Sequence, residues 1–268
     1  MISNLSLHRT RCAGELHRWA SLIYRGTAMP HGKALSSFLL TVVLLAFSNI
    51  ALADWTVSSD VKALIAKADA GDPDAQLRVG SAYDTGTGAP RSGKKAMKYY
   101  LMAAEQGNAE AQNSLGSTLQ AKKRYSEALV WYQRAADQGH ALATNNLGLL
   151  YDLGMGVQQD RRKGFELYSK AADLGWAKSM WNLANMYGAV QLGPIDMISA
   201  CVWTMRARTY ADPSDQRLQA QLSRITPYLE STLRSSEMDE CKQQAAAWTP
   251  AGNAQQSVPG DAPSPALP

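Results

Sequence analysis

One segment of thirteen residues occurs three times in this chain, and that repetition limits the fold more than any other feature. Lys95-Ala-Met-Lys-Tyr-Tyr-Leu-Met-Ala-Ala-Glu-Gln-Gly107 returns as Glu127-Ala-Leu-Val-Trp-Tyr-Gln-Arg-Ala-Ala-Asp-Gln-Gly139 and again as Lys163-Gly-Phe-Glu-Leu-Tyr-Ser-Lys-Ala-Ala-Asp-Leu-Gly175. The closing glycines stand 32 and then 36 residues apart. A fourth, eroded copy is Ser199-Ala-Cys-Val-Trp-Thr-Met-Arg-Ala-Arg208. A second recurring segment precedes each copy, beginning at Ala75, Ala111, Ala143 and Ser179. Periods of this length mean stacked supersecondary units, because one such unit cannot bury its apolar face alone.

In the preceding segments a Val or Leu follows four residues after the Ala or Ser, a Gly or Ala five after, and a Tyr or Leu eight after. That spacing places the packing residues on one helical stripe. Each repeat is therefore predicted as two antiparallel helices, A then B. The Gly or Ala on helix A and the Ala-Ala pair on helix B allow close backbone approach, and Tyr, Trp and Leu fill the space beside them. The glycine that ends helix B suits a left-handed position just past a helix.

The pattern A-x-x-x-L-G-x-x-Y-x-x-G-x-G-V, followed by A-A-x-x-G, is clearest over 143–175 and resembles the Sel-1-like repeat, a relative of the tetratricopeptide repeat. The resemblance covers about 71–211. It implies an all-α, right-handed α/α solenoid whose A helices line a concave, partner-binding face. Two departures stand out. The second repeat lacks four residues of the A–B loop, and the fourth loses the second Ala and the Gly of helix B.

The formal charge of +4 raises a nucleic-acid reading, but its position removes it. Residues 1–53 hold five Lys and Arg against one acid, leaving 22 against 22 in the rest. The apolar run Phe38–Phe47 lies behind Lys33 and ahead of Ala51-Leu-Ala53. A basic stretch, a short apolar core and an A-x-A site are the pattern of a secretory signal peptide. Met29 is an alternative start, and an uncleaved anchor is the competing reading of the same run. Cleavage leaves no membrane span and sends the chain to the periplasm or outside the cell.

Export implies an oxidising compartment, where Cys201 and Cys241, the two cysteines after the leader, form an even pair. A disulfide is expected; two buried thiols are the alternative. Both ends of the solenoid are expected to be capped. At the front, residues 54–70 hold a helix N-capped by Ser59, with Val61, Leu64, Ile65 and Ala68 facing the first repeat. Behind, 212–248 hold Leu218, Leu222, Ile225, Leu229 and Leu233 at helical spacing, with Pro227 expected to kink or restart the helix. A last helix is expected to start at Ser235 or Ser236 ahead of Glu237 and to end near Trp248. Residues 249–268 carry five prolines and one charge, the composition of a disordered tail.

Chemistry finds few candidates. Gly88-Ala-Pro-Arg-Ser-Gly-Lys94 spells a phosphate loop, but Lys95 stands where Mg²⁺ needs Ser or Thr, and a helix precedes it. His140 is the one histidine after the leader and sits at a helix start, where a surface role is commonest. No cofactor, metal site or catalytic residue is expected. The basic runs at Lys94-Lys95, Lys122–Arg124 and Arg161–Lys163 recur before helix B and line one edge, solvated or turned to an anionic ligand.

What remains is binding by the A-helix face. Mapping from the packing Val or Leu places Asn113, Ser117, Asn145, Asn146, Leu149, Trp181, Asn182 and Asn185 at exposed positions. Such amides with an aromatic suit an extended peptide backbone. The competing reading is that the asparagines satisfy each other or neighbouring helices. The function expected is an exported protein–protein interaction scaffold or envelope regulator. A β-lactamase-like hydrolase, as in the cysteine-rich branch of the family, and a peptidoglycan or exopolysaccharide binder are the alternatives.

Overall fold

A computed structural model describes residues 57–189 and 193–251. The leader at 1–53 and the tail from 252 onwards lie outside the described residues, so the readings made for them stand as expectations. The described residues form helices and no strand. None of these helices is long and apolar enough to cross a membrane.

A front helix α1 (Ser59–Asp69) is followed by helix pairs. These are α2 (Pro73–Thr85) with α3 (Gly93–Glu105), α4 (Ala109–Ala121) with α5 (Tyr125–Asp137), and α6 (Ala141–Leu153) with α7 (Arg161–Asp173). A fourth pair, α8 (Ala177–Tyr187) with α9 (Met197–Tyr210), leads into α10 (Gln216–Thr232) and α11 (Ser235–Ala246). From α1 to α10 each helix packs on its sequence neighbour, the pattern of a solenoid in which every unit touches only the units beside it. One further contact, α9 with α11, folds the end of the chain back on the fourth pair.

The helix boundaries follow from side chains that satisfy the free N–H groups of the first turn. Asp72, Asn108 and His140 cap the A helices α2, α4 and α6, and Ser92, Asp160 and Asp196 cap the B helices α3, α7 and α9. Ser92 belongs to the stretch that resembles a phosphate loop. Gly88 of that stretch accepts a hydrogen bond from Ser58 N at 2.7 Å and closes over α1. The short second loop turns at Lys123 with φ +60°, a left-handed backbone carried by a lysine because no glycine is present.

One cap differs from the sequence reading. The N-cap of α1 is Ser58, whose Oγ accepts from Val61 N at 3.3 Å, one residue before Ser59. Helix α11 begins at Ser235, as expected, and its preceding residue Arg234 donates its backbone N–H to Glu237 Oε2 at 2.9 Å. Pro227 neither ends nor restarts α10, which runs on to Thr232. Proline removes one helical N–H. The burial of Leu222 and Leu229 on either side of it holds the helix to its neighbours.

The inter-helix seams are built from glycine against tyrosine. A Cβ placed on Gly80 would lie 2.5 Å from the Tyr100 ring, on Gly116 2.7 Å from Tyr132, and on Gly148 3.0 Å from Tyr168. The missing side chain on helix A is thus the space filled by the ring from helix B. Burial pushes all three phenols well above the usual tyrosine range, so they stay protonated. Gly116→Ala is expected to cost about 1–3 kcal/mol by overpacking. A chemical-denaturation curve checks this, and a loss below the error of the fit would show that the ring has room to move.

Candidate functional site: the face of the A helices

The positions singled out on α4, α6 and α8 separate into two groups. Asn113 and Asn145 were expected to be exposed but are buried, at 5% and 4% exposure. Asn146, Leu149, Trp181 and Asn182 are half-buried, and Ser117 and Asn185 are exposed. The buried pair is held by a chain of amides that crosses three repeats. Asn146 Nδ2 donates to Asn113 Oδ1 at 3.3 Å, and Asn145 Nδ2 to Asn146 Oδ1 at 3.4 Å. Asn145 Oδ1 in turn accepts from Ser179 Oγ and from Asn182 Nδ2, both at 3.0 Å.

Asn145 is the hub of that chain, with both lone pairs of its carbonyl oxygen in use. Position two before the packing leucine points at the seam between adjacent A helices. An amide there is buried as soon as the next repeat stacks. Asn145→Ala would strand the Ser179 hydroxyl, which is fully buried, and is expected to cost about 1–3 kcal/mol. Asn185→Ala, on the exposed surface, is expected to change stability by no more than about 0.5 kcal/mol. Urea unfolding of the two variants checks the contrast, and equal losses would remove the hub.

Two further polar clasps join consecutive repeats. Gln76 donates to Ala68 O at 2.9 Å and accepts from Gln106 at 2.7 Å; Gln112 donates to Ala104 O at 3.1 Å and accepts from Gln138 at 2.8 Å. The sequence reading missed this clasp, although Ala-Gln at the start of α2 and α4 and Gln-Gly after α3 and α5 carry its signal. In the second clasp the N-cap of one A helix bonds the first-turn acid of the previous one. Asn108 donates to Asp74 at 3.1 Å, and His140 Nε2 lies 2.8 Å from Glu110 Oε2.

His140 Nδ1 accepts from Ala143 N at 3.1 Å, so the ring acts as a helix cap with its far nitrogen on a carboxylate. At the next joint the corresponding residues are Leu142 and Trp176, so the acid is lost, and the buried Trp176 indole N–H has no partner. His140→Ala is expected to cost about 1 kcal/mol, and His140→Asn, which keeps a cap acceptor, less than half of that. Thermal melts compare the two, and equal losses would mean that the cap is not what His140 contributes.

The basic edge is partly neutralised from within. Arg124 pairs with Glu127 at 2.6 Å, Lys163 with Glu166 at 3.5 Å, and Arg161 faces Asp152 at 3.9 Å. No cluster of metal-ligating side chains is found among the described residues. On the A-helix face the Ser117 and Asn185 side chains are exposed, while Leu149 and Trp181 are half-buried.

The family model described as Sel1 repeat matches residues 73–108, 109–140 and 141–176. The chain carries three Sel1 repeats. Among solved structures it is similar to c5321, a protective antigen of uropathogenic Escherichia coli strains displaying an SLR fold. The identity is 24% and the TM-score 0.64, over 70% of this chain and 40% of that one. It is also similar to a Sel1 repeat protein from Oxalobacter formigenes, with 28% identity and a TM-score of 0.56, over 70% of this chain and 78% of that one. No curated protein matches the sequence. Sel1-repeat folds are in general protein–protein interaction scaffolds.

The pair α8–α9 follows the three matched Sel1 repeats and departs from them in composition. Ala184 takes the glycine position and Thr204 the tyrosine position. From α9, Arg206 lies between Trp203 and Trp248, 4.6 and 4.8 Å from their ring centroids, and donates to Gln244 O at 3.1 Å. Burial lowers the basicity of its guanidinium. Cys201 of α9 and Cys241 of α11 are joined in a disulfide. These contacts close the end of the solenoid.

Proposed function

We propose that this chain is an exported interaction scaffold that binds an envelope protein along the face of its A helices. The observation that carries the reading is the division of that face. A buried amide chain fixes the spacing of α4, α6 and α8, while Ser117, Leu149, Trp181 and Asn185 stay accessible on the rigid surface it creates. A preorganised row of hydrogen-bonding groups with an aromatic anchor suits an extended segment, because little ordering cost falls on the scaffold. Export is supported by the leader-like sequence at 1–53 and by the disulfide, which persists in oxidising compartments.

The test is in-cell cross-linking in the envelope, followed by capture with Trp181→Ala/Asn185→Ala. Both positions leave the amide chain intact, so the variant is expected to fold and to lose at least tenfold in capture. Unchanged capture by the folded variant would place the binding surface elsewhere. Cross-links confined to cytoplasmic proteins would end the export reading.

A further inference from the structure

Three times along the solenoid a tyrosine from helix B lies on a glycine of helix A, and its hydroxyl end approaches the residue four positions after that glycine. Tyr132 donates to Gln120 at 2.9 Å and Tyr168 to Asp152 at 3.4 Å. Asp84 occupies the matching place beside Tyr100. In the fourth pair every member of the set changes size at once. The tyrosine is Thr204, the glycine is Ala184, and the distal polar residue is Gly188.

The added methyl of Ala184 replaces only a small part of the lost ring. A cavity of about 330 Å³ is left between α8, α9 and α10. Its floor is made by Ala184, Ala200 and Thr204, and its walls by Trp181, Ile225 and Tyr228. Asn185 and Gly188 also line it, and Tyr228, at 54% exposure, stands at its rim.

We propose that this cavity is an aromatic-side-chain subsite, which takes a Tyr or Phe ring from the extended segment of a bound protein. Four observations fix the occupant. The space corresponds to the one that a phenol ring fills in each of the three preceding repeats. Its size is that of a small ligand pocket, and its lining mixes apolar side chains with the polar groups of Asn185, Thr204 and Tyr228. Ala184 forbids the full depth of the internal tyrosines, since a Cβ at that place in the other repeats would lie 2.5–3.0 Å from the ring. An entering ring therefore sits further out, between Trp181 and Tyr228, where offset or edge-to-face packing on aromatic walls is favourable. The Asn185 side chain is exposed at the same opening and offers a partner to a phenol hydroxyl. The chain's own tail is not the occupant, because residues 249–268 contain no aromatic residue.

The identity of the ring donor rests on the scaffold reading above, whereas the cavity does not. The experiment separates the two with p-cresol, the tyrosine side-chain analogue, titrated into the purified protein. The readout is the methyl resonances of Ala184, Ala200 and Ile225, which line the cavity. Two variants fill the cavity from within. Ala184→Gly/Thr204→Tyr restores the arrangement of the other repeats, and Gly188→Leu adds a side chain where the backbone is helical (φ −77°). The expected result is a saturable shift in the wild type and binding at least tenfold weaker in both variants, each folded by circular dichroism.

No saturable shift in the wild type, or equal binding by a folded filled variant, would overturn the proposal. Shifts that appear on raising protein concentration alone would do so too, since they would seat Tyr228 of a second copy there. For a partner captured by the wild type, undiminished capture by Gly188→Leu would remove the subsite while leaving the scaffold reading intact. If the scaffold reading fails instead, no partner is captured, and the p-cresol titration still decides the cavity.

Discussion

Tyr132→Ala is expected to lower stability by about 3–5 kcal/mol, the range for large aromatic truncations in a packed core. The ring is 1% exposed and lies against the bare backbone of Gly116. Glycine has no side chain with which to collapse into the void, so the cavity stays open. For a domain of this size that corresponds to a fall in melting temperature of roughly 6–20 °C. Tyr132→Phe keeps the ring and loses the hydrogen bond to Gln120, for about 0.5–1.5 kcal/mol. Because each repeat is stabilised by its neighbours, the damage should also reach α3 and α6, seen as a broadened or split unfolding transition. A loss under about 1 kcal/mol for the alanine variant would show that the glycine–tyrosine seam does not hold the repeats together.

Reduction of the Cys201–Cys241 bond, or Cys201→Ala/Cys241→Ala, is expected to release the end of the chain. The two cysteines are 40 residues apart, and a loop of that size corresponds to about 4 kcal/mol in the chain-entropy account. The effect should be local. Helix α11 buries only Met238 and Cys241, so little apolar contact remains to hold it once the link is gone, apart from the packing of Trp248 on Arg206 and Trp203. Hydrogen exchange should rise across α10 and α11 while α2–α7 keep their protection. Identical melts with and without reductant would contradict this. So would two thiols that react with an alkylating agent in the unreduced, denatured protein.

Much of the fold is legible in the repeats themselves. The alternation of small and large residues at helical spacing states which faces meet. The structure carries that through, with Gly80, Gly116 and Gly148 each under a tyrosine of helix B. The helix starts that were read are legible to within a residue, because capping is a local matter of one side chain and the backbone two or three residues on. Ser58 for Ser59 is a slip of that kind, and the start of α11 at Ser235 is as expected. At Pro227 the helix does not restart, for a different reason. Its local cost is real, but the packing of Leu222 and Leu229 is tertiary and outweighs it.

The face of the A helices was legible only in part. A helical wheel built on Leu147 gives the direction of Asn145 but not what the next repeat sets against it. Ser179 and Asn182 come from 34 and 37 residues further on, and only stacking brings them to 3.0 Å. The same holds for the cavity at the fourth pair. Each small residue there is visible alone, yet their coincidence matters only where α10 leaves the space uncovered.

The sequence by itself determined that this chain is a stack of helix pairs, roughly where each pair lies, and which small and apolar residues pack within it. All of that follows from spacing along one helix and from local capping. Only the tertiary structure decided which polar residues are spent on joining repeats and which stay exposed, and that a cavity remains at the fourth pair. Those are properties of surfaces from different repeats, and their burial is set by the neighbour that stacks on them.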